Sequence, residues 1–215
     1  MRAWAVMFDQ FLDSRDVEAP YTEADYFEHV DGRPRYDGVR AVLVSRGLEL
    51  PEGEDADPGD QDPGHETVRG LGNRKNDLVL ALLREDGVAP YPGTVAYLDS
   101  LGAGARLAIV SSSRNAEEVL RSAGLRDRFE HVVDGKVAAA EQLPGKPAPD
   151  TFLRAAALLG VDPADAAVYE DAVSGVAAGA AGGFGAVVGV DRGAGREQLA
   201  AAGASLVVAD LEELA

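Results

Sequence analysis

A chain of 215 residues is long enough for one well-cored domain, or for a domain carrying an insertion. Its 37 acidic against 20 basic residues give a net charge of −17, which disfavours nucleic acid or an anionic membrane as a partner. The absence of cysteine excludes disulfides, thiol catalysis and cysteine-ligated zinc.

Residues 2–15 place Trp4, Met7, Phe8, Phe11 and Leu12 at helical spacing, so they predict an amphipathic helix. A second helix is expected over Thr22–Val30, a third over Tyr36–Arg46 after the turn Gly32-Arg33-Pro34, and a fourth over Asn73–Glu85. Between the last two, residues 50–66 are acidic and rich in Pro and Gly, and read as an exposed loop without a core. Residues 1–88 thus form an all-helical domain. The character changes at Val88-Ala89-Pro90-Tyr91-Pro92-Gly93, and residues 89–215 alternate strands with helices. Helices are expected at 93–103, 115–123, 150–159 and 195–202, and strands at 106–110, 129–133, 166–169, 184–190 and 205–208. That alternation predicts an α/β, Rossmann-like parallel sheet with right-handed crossovers. Met1 is followed by no basic–apolar–small leader pattern, and no run approaches the ~18 apolar residues of a membrane span, so the expected location is cytoplasmic.

The chemistry-bearing stretches cluster at strand ends. Residues 166–171, AAVYED, carry Glu170 and Asp171 to the carboxyl end of a sheet, where α/β proteins place their ligands. Two such acids suit a hard cation such as Mg²⁺, or they merely begin an acidic helix. Residues 108–115, AIVSSSRN, offer hydroxyls, helix N-terminal N–H groups and an adjacent Arg114 to an anion; the plainer alternative is that Ser113 or Asn115 caps a helix. In LPGKPAPD, Lys146 sits on a stiff loop suited to neutralising a phosphoryl group, or is an ordinary solvated lysine, and Asp150 is placed to cap the next helix. Cations also gather beside glycines at Gly32-Arg33-Pro34-Arg35 and Gly72-Asn73-Arg74-Lys75-Asn76. His29, His65 and His131 share no metal-like spacing.

In this order the helical cations, the Pro-Gly hinge, the strand with SSS, GKPAPD and the strand with ED and SG resemble the haloacid dehalogenase-like (HAD) superfamily, in its β-phosphoglucomutase-like subfamily with an N-terminal helical cap. The resemblance runs from about Asp31 to Asp210. It implies that Ser111 and Lys146 hold the transferring phosphoryl group and that Glu170 and Asp171 position Mg²⁺. It implies that Ser113, Arg114, Asn115 and Arg35 grip a second phosphate, with Gly32 at the turn beside them, and that Lys75 and Asn76 lie over the sugar. Lys136 is left as a surface lysine. The implied protein is a monomer that acts on a small phosphorylated sugar without nucleic acid or membrane.

The same resemblance calls for a strand near the N-terminus ending in DxDG, whose first Asp is the nucleophile and whose second is the acid–base. The nearest match is Ala5–Asp9, but Phe11 stands where the second Asp belongs and the apolar spacing is helical. The stretch reads as the first cap helix. The central first strand and its nucleophile are therefore expected to be missing, as if the sequence began at an internal methionine. Three readings follow: a β-phosphoglucomutase-like enzyme, inactive as written; a sugar-phosphate phosphatase; or a non-catalytic sugar-phosphate-binding or regulatory relative.

Overall fold

The computed structural model describes residues 1–17, 19–62, 64–102 and 104–215. Two compact units emerge, Met1–Asp31 with Arg35–Gly87, and Gly32–Pro34 with Val88–Ala215. The tripeptide Gly32–Pro34 thus belongs with the second unit although helical chain flanks it on both sides.

The first unit is helical. Helix α1 (Arg2–Asp13) buries Trp4, Met7, Phe8, Phe11 and Leu12, which recur at intervals of three and four and so share one face. A Thr22–Asp25 capping box opens the single turn α2 (Glu23–Asp25), which runs on as a π turn over Tyr26–Val30. Helix α3 (Arg35–Ser45) adds Val39, Val42 and Leu43 to the core, and helix α4 (Val68–Glu85) adds Val68 and Leu71. Helix α4 starts five residues before the expected Asn73, because the Thr67 hydroxyl caps it by accepting from Gly70 N at 2.9 Å. The acidic loop is largely exposed, as its composition predicts, but it is fastened to α4. Asn73 Nδ2 donates to the Asp55 and Asp57 carbonyls (3.1 and 2.8 Å), and Arg74 Nε donates to the Gly59 carbonyl (2.6 Å). Its last residue, Glu66, is buried and paired with Arg15 at 2.7 Å.

The second unit runs α5 (Pro92–Ser100), β1 (Ala108–Val110), α6 (Ala116–Ser122), β2 (His131–Val133), α7 (Gly135–Ala140), α8 (Asp150–Leu159) and β3 (Ala167–Glu170). It continues with α9 (Val173–Ala181), β4 (Ala186–Val190), α10 (Arg196–Ala201), β5 (Leu206–Val208) and a closing 3₁₀ turn, Leu211–Leu214. Every expected strand is present, shortened by one or two residues at its start. Helix α7 was not expected; the Asp134 carboxylate caps it by accepting from Lys136 N and Val137 N.

The strands are all parallel, as α/β alternation requires, yet they form two sheets, β1–β2 and β3–β4–β5. Ser111 N donates to the Val133 carbonyl and Glu130 N to the Leu107 carbonyl, so odd-numbered residues of β1 face β2. Alternation then turns the amides and carbonyls of Ala108 and Val110 away from β2. By the same parity Ala186 N, donating to the Ala166 carbonyl, leaves those of Ala167 and Tyr169 turned away from β4. Among the described residues no strand pairs with either edge. Side chains still join the two sheets: Val110 of β1 packs with Phe152 of α8, Val168 of β3 and Ala178 of α9. Strand β1 is half-buried along its length, whereas four of five residues in β4 are buried.

Candidate functional site

The loops leaving β1 and β3, together with the loop before α8, carry most of the expected site residues. After β1, the Ser111 hydroxyl accepts from Ser113 N at 3.1 Å, and the Ser113 hydroxyl accepts from Asn115 N at 3.2 Å. Each hydroxyl spends a lone pair on the turn and keeps its proton for an outside acceptor. Asn115 is buried and is the residue before α6, but its side chain does not cap that helix. The capping alternative is thus corrected: Ser113 organises the turn one step earlier. Arg114 lies over Gly135, where a Cβ would fall 3.0 Å from its Cγ.

Lys146 is not a solvated loop lysine. Its residue is only 7% exposed, its ammonium pairs with the Glu170 carboxylate, and it lies 4.8 Å from the Phe152 ring centroid. The Lys146–Pro147 bond is cis. Asp150 opens α8 as its first residue but makes no side-chain cap, contrary to the expectation. Glu170 is buried as well, and its second oxygen accepts from Ala172 N at 3.3 Å. The carboxylate can sit there because residue 175 is glycine: a Cβ on Gly175 would fall 2.2–2.4 Å from its carboxyl atoms. The serine–glycine pair after the acids was visible in the sequence, but this packing role was not.

Asp171, the next residue, is exposed. As donors, two successive carboxylates at a strand end fit a hard cation, which takes one or two carboxylates and completes its shell with water and phosphate oxygens. Glu170 is engaged by Lys146, and the described residues hold no group of three acids or histidines able to form a closed metal site. Any cation here would lean on a ligand's own oxygens.

Gly32 adopts a left-handed φ of +70°. Its carbonyl accepts from the Ser112 hydroxyl at 2.7 Å, and a Cβ on it would meet Ser174 Oγ at 2.2 Å and the Ala172 Cβ at 2.9 Å. A Cβ on Gly145, beside Lys146, would lie 2.6 Å from the Pro34 ring. The tripeptide therefore touches all three loops.

The remaining candidates lie in the helical unit. Arg35 donates to Asn76 Oδ1 (2.6 Å) and Asn73 Oδ1 (3.2 Å), and its stem lies close to Gly72. Asn76 thus orients Arg35, and Asn73, unassigned in the sequence reading, shares that work. Lys75 lies 4.8 Å from the Trp4 ring centroid, and burial, followed by the charge of Arg35, lowers its pKa to about 8. Arg74 is committed to the acidic loop, and Lys136 pairs on the surface with Glu118 at 3.2 Å. Asp9 lies within α1, where it accepts from Tyr21 N at 3.3 Å; it is not at a strand end.

The profile of the haloacid dehalogenase-like hydrolases matches residues 9–183. The chain belongs to the haloacid dehalogenase-like hydrolase family. A β-phosphoglucomutase of Mycobacterium bovis is 50% identical over 99% of this chain and 84% of its own length. A fructose-1-phosphate phosphatase of Escherichia coli is 38% identical over 54% of this chain and 60% of its own. In fold, the chain is similar to the crystal structure of a β-phosphoglucomutase from Clostridium difficile, with a TM-score of 0.77 and 22% identity over 100% of this chain and 86% of that one. By family this haloacid dehalogenase-like chain is a phosphoryl-transfer enzyme of the phosphatase or mutase kind. Among its described residues no helix is long and apolar enough to cross a membrane.

Proposed function

We propose that this chain carries the phosphate-gripping half of a β-phosphoglucomutase-type machine, acting on a small phosphorylated sugar and interconverting β-glucose 1-phosphate and glucose 6-phosphate. The observation that carries the reading is the burial of Lys146 against Glu170 at the end of β3, beside the Phe152 ring. A lysine kept out of water, with a carboxylate to orient it, is a preorganised donor for phosphoryl oxygens. The half-identical Mycobacterium relative supports the mutase assignment.

In this reading the Ser111 hydroxyl and Lys146 hold the transferring phosphoryl group. Ser113, Arg114, Asn115 and Arg35 hold the second phosphate, so a bisphosphate intermediate is retained while it turns over. Lys75 and Asn76 face the sugar. Asp171 and Glu170 would hold Mg²⁺, which supplies charge neutralisation to the phosphoryl oxygens when bound. The carboxylate that accepts the phosphoryl group is not Asp9, which α1 and Tyr21 hold in a helix. Residues 1–215 would then bind substrate without turning it over, and a strand ending in DxDG would complete the reaction.

Titration calorimetry with glucose 6-phosphate, paired with a mutase assay, tests this. The expected result is binding without turnover for residues 1–215, and turnover once an apolar DxDG strand is fused ahead of Met1. Turnover by residues 1–215 alone, or no binding by either form, overturns the proposal. Release of inorganic phosphate in place of isomerisation would favour a sugar-phosphate phosphatase, the activity named in the Escherichia coli relative.

A further inference from the structure

The three serines after β1 are not equivalent. Ser111 and Ser113 turn their hydroxyls inward, each accepting from a backbone N–H two residues ahead. Ser112 turns the other way and donates to the carbonyl of Gly32, 80 residues distant in sequence, at 2.7 Å. Its own carbonyl is wedged against Gly135, where a Cβ would fall 2.8 Å away. Ser112 thus packs against the start of α7 on one side and holds the Gly32–Pro34 strap on the other.

The strap has little freedom of its own. Gly32 is left-handed and fits against Ala172 and Ser174 only because it lacks a side chain. Pro34 fixes its own φ and packs on Gly145. Asp31, just before it, closes the π turn, and Arg35, just after it, is the first residue of α3. The tripeptide lies where chain passes between the two units, and the Ser112 hydroxyl fastens it to the serine turn.

We propose that Ser112 is a positioning residue that locks the Gly32–Pro34 strap to the phosphate-gripping turn, so that phosphate at Ser111–Ser113 is registered at the strap and hence at the backbone of Arg35. The coupling half rests on the phosphate reading above; the anchoring half does not. A turn that swings its hydroxyls and amides toward a phosphate cannot do so without carrying the Ser112 hydroxyl along. The Gly32 carbonyl follows it or loses its donor.

Hydrogen–deuterium exchange over residues 31–36, read with and without inorganic phosphate, tests both halves. In the ligand-free protein Ser112→Ala should exchange about fivefold faster than wild type across this segment, the factor that one ordinary hydrogen bond corresponds to. Ser112→Thr, which keeps the hydroxyl, should restore the wild-type rate. Gly32→Ala should also accelerate exchange, since its Cβ cannot fit beside Ser174. Phosphate should slow exchange in wild type and leave Ser112→Ala unaffected. Unchanged exchange in ligand-free Ser112→Ala overturns the anchor. Equal protection by phosphate in wild type and Ser112→Ala overturns the coupling. If calorimetry finds no phosphate binding to wild type, the phosphate reading fails and the coupling with it, while the ligand-free comparison still decides the anchor.

Discussion

The Lys146 ammonium and the Glu170 carboxylate are buried against each other, with the Phe152 ring over one and the Gly175 backbone under the other. Little of either side chain is exposed, so each charge depends on its partner. Replacing Lys146 by Met should destabilise the second unit by about 3–5 kcal/mol, the range for stranding one charge of a buried pair. Adding Glu170→Gln removes the stranded charge and should recover much of the loss. Urea midpoints of the two singles and the double decide this. Losses that simply add would mean the pair is not coupled as described.

Gly175 sets a second expectation. Gly175→Ala puts a methyl carbon 2.2–2.4 Å from the Glu170 carboxyl atoms, and the ion pair prevents an easy retreat. The expected cost is about 1–3 kcal/mol, as for other overpacked sites. Gly102→Ala, with nothing within 4 Å of the new carbon and no left-handed φ, is the matched control and should stay within about 0.5 kcal/mol. Thermal melts of both variants are sufficient.

Lys75 gives a pH dependence with two opposite slopes. Burial lowers its pKa from 10.5 to about 8 in the folded chain. Between those values the unfolded chain holds this proton and the folded chain does not. This residue's contribution to stability therefore rises as pH climbs from about 8 toward 10.5, and the buried charge is a full penalty below 8. Affinity for glucose 6-phosphate should move the other way, weakening through pH 8 as the cation is lost. Lys75→Met should flatten both trends. The Met1 amine, its pKa lowered by burial and by the charge of Lys75, is coupled to that residue, so the comparison is made on N-terminally acetylated protein.

Thr67 is the hinge on which the acidic loop meets α4. Its hydroxyl accepts from Gly70 N and donates to the Asp57 carboxylate at 2.7 Å. Thr67→Ala should cost about 0.5–2 kcal/mol through the lost cap. It should also open residues 53–62 to limited proteolysis. A variant with an unchanged midpoint and cleavage pattern would show that Thr67 is not what holds the loop to α4.

Much of the fold was legible where one physical signal dominates. The three-and-four spacing of Trp4, Met7, Phe8, Phe11 and Leu12 defined α1, and the apolar runs before Ser111 and Asp171 located β1 and β3. Competing signals produced the misses. Helix α4 begins ahead of the expected Asn73 and runs through Gly70 and Gly72, poor helix formers that let Gln61, Tyr36 and Arg35 approach it. Helix α7 likewise opens on a glycine, Gly135, and depends on the Asp134 cap. The site residues were legible as types at strand ends, but their partners were not. The burial of Lys146, the Gly175 cradle and the grip of Asn73 and Asn76 on Arg35 depend on packing between distant segments. The division of the strands into two sheets is also a property of pairing, which strand lengths and order do not specify.

That division has a consequence for handling the protein. The backbone groups of Ala108 and Val110 on one sheet, and of Ala167 and Tyr169 on the other, form two short rims that no strand pairs with among the described residues. Neither β1 nor β3 carries a lysine or proline of the sort that blunts exposed strand edges elsewhere. Such rims recruit extended chain without regard to its origin. At high concentration these molecules should self-associate through them into β-rich aggregates, and a short apolar peptide added in excess should keep the solution clear by occupying the rims first.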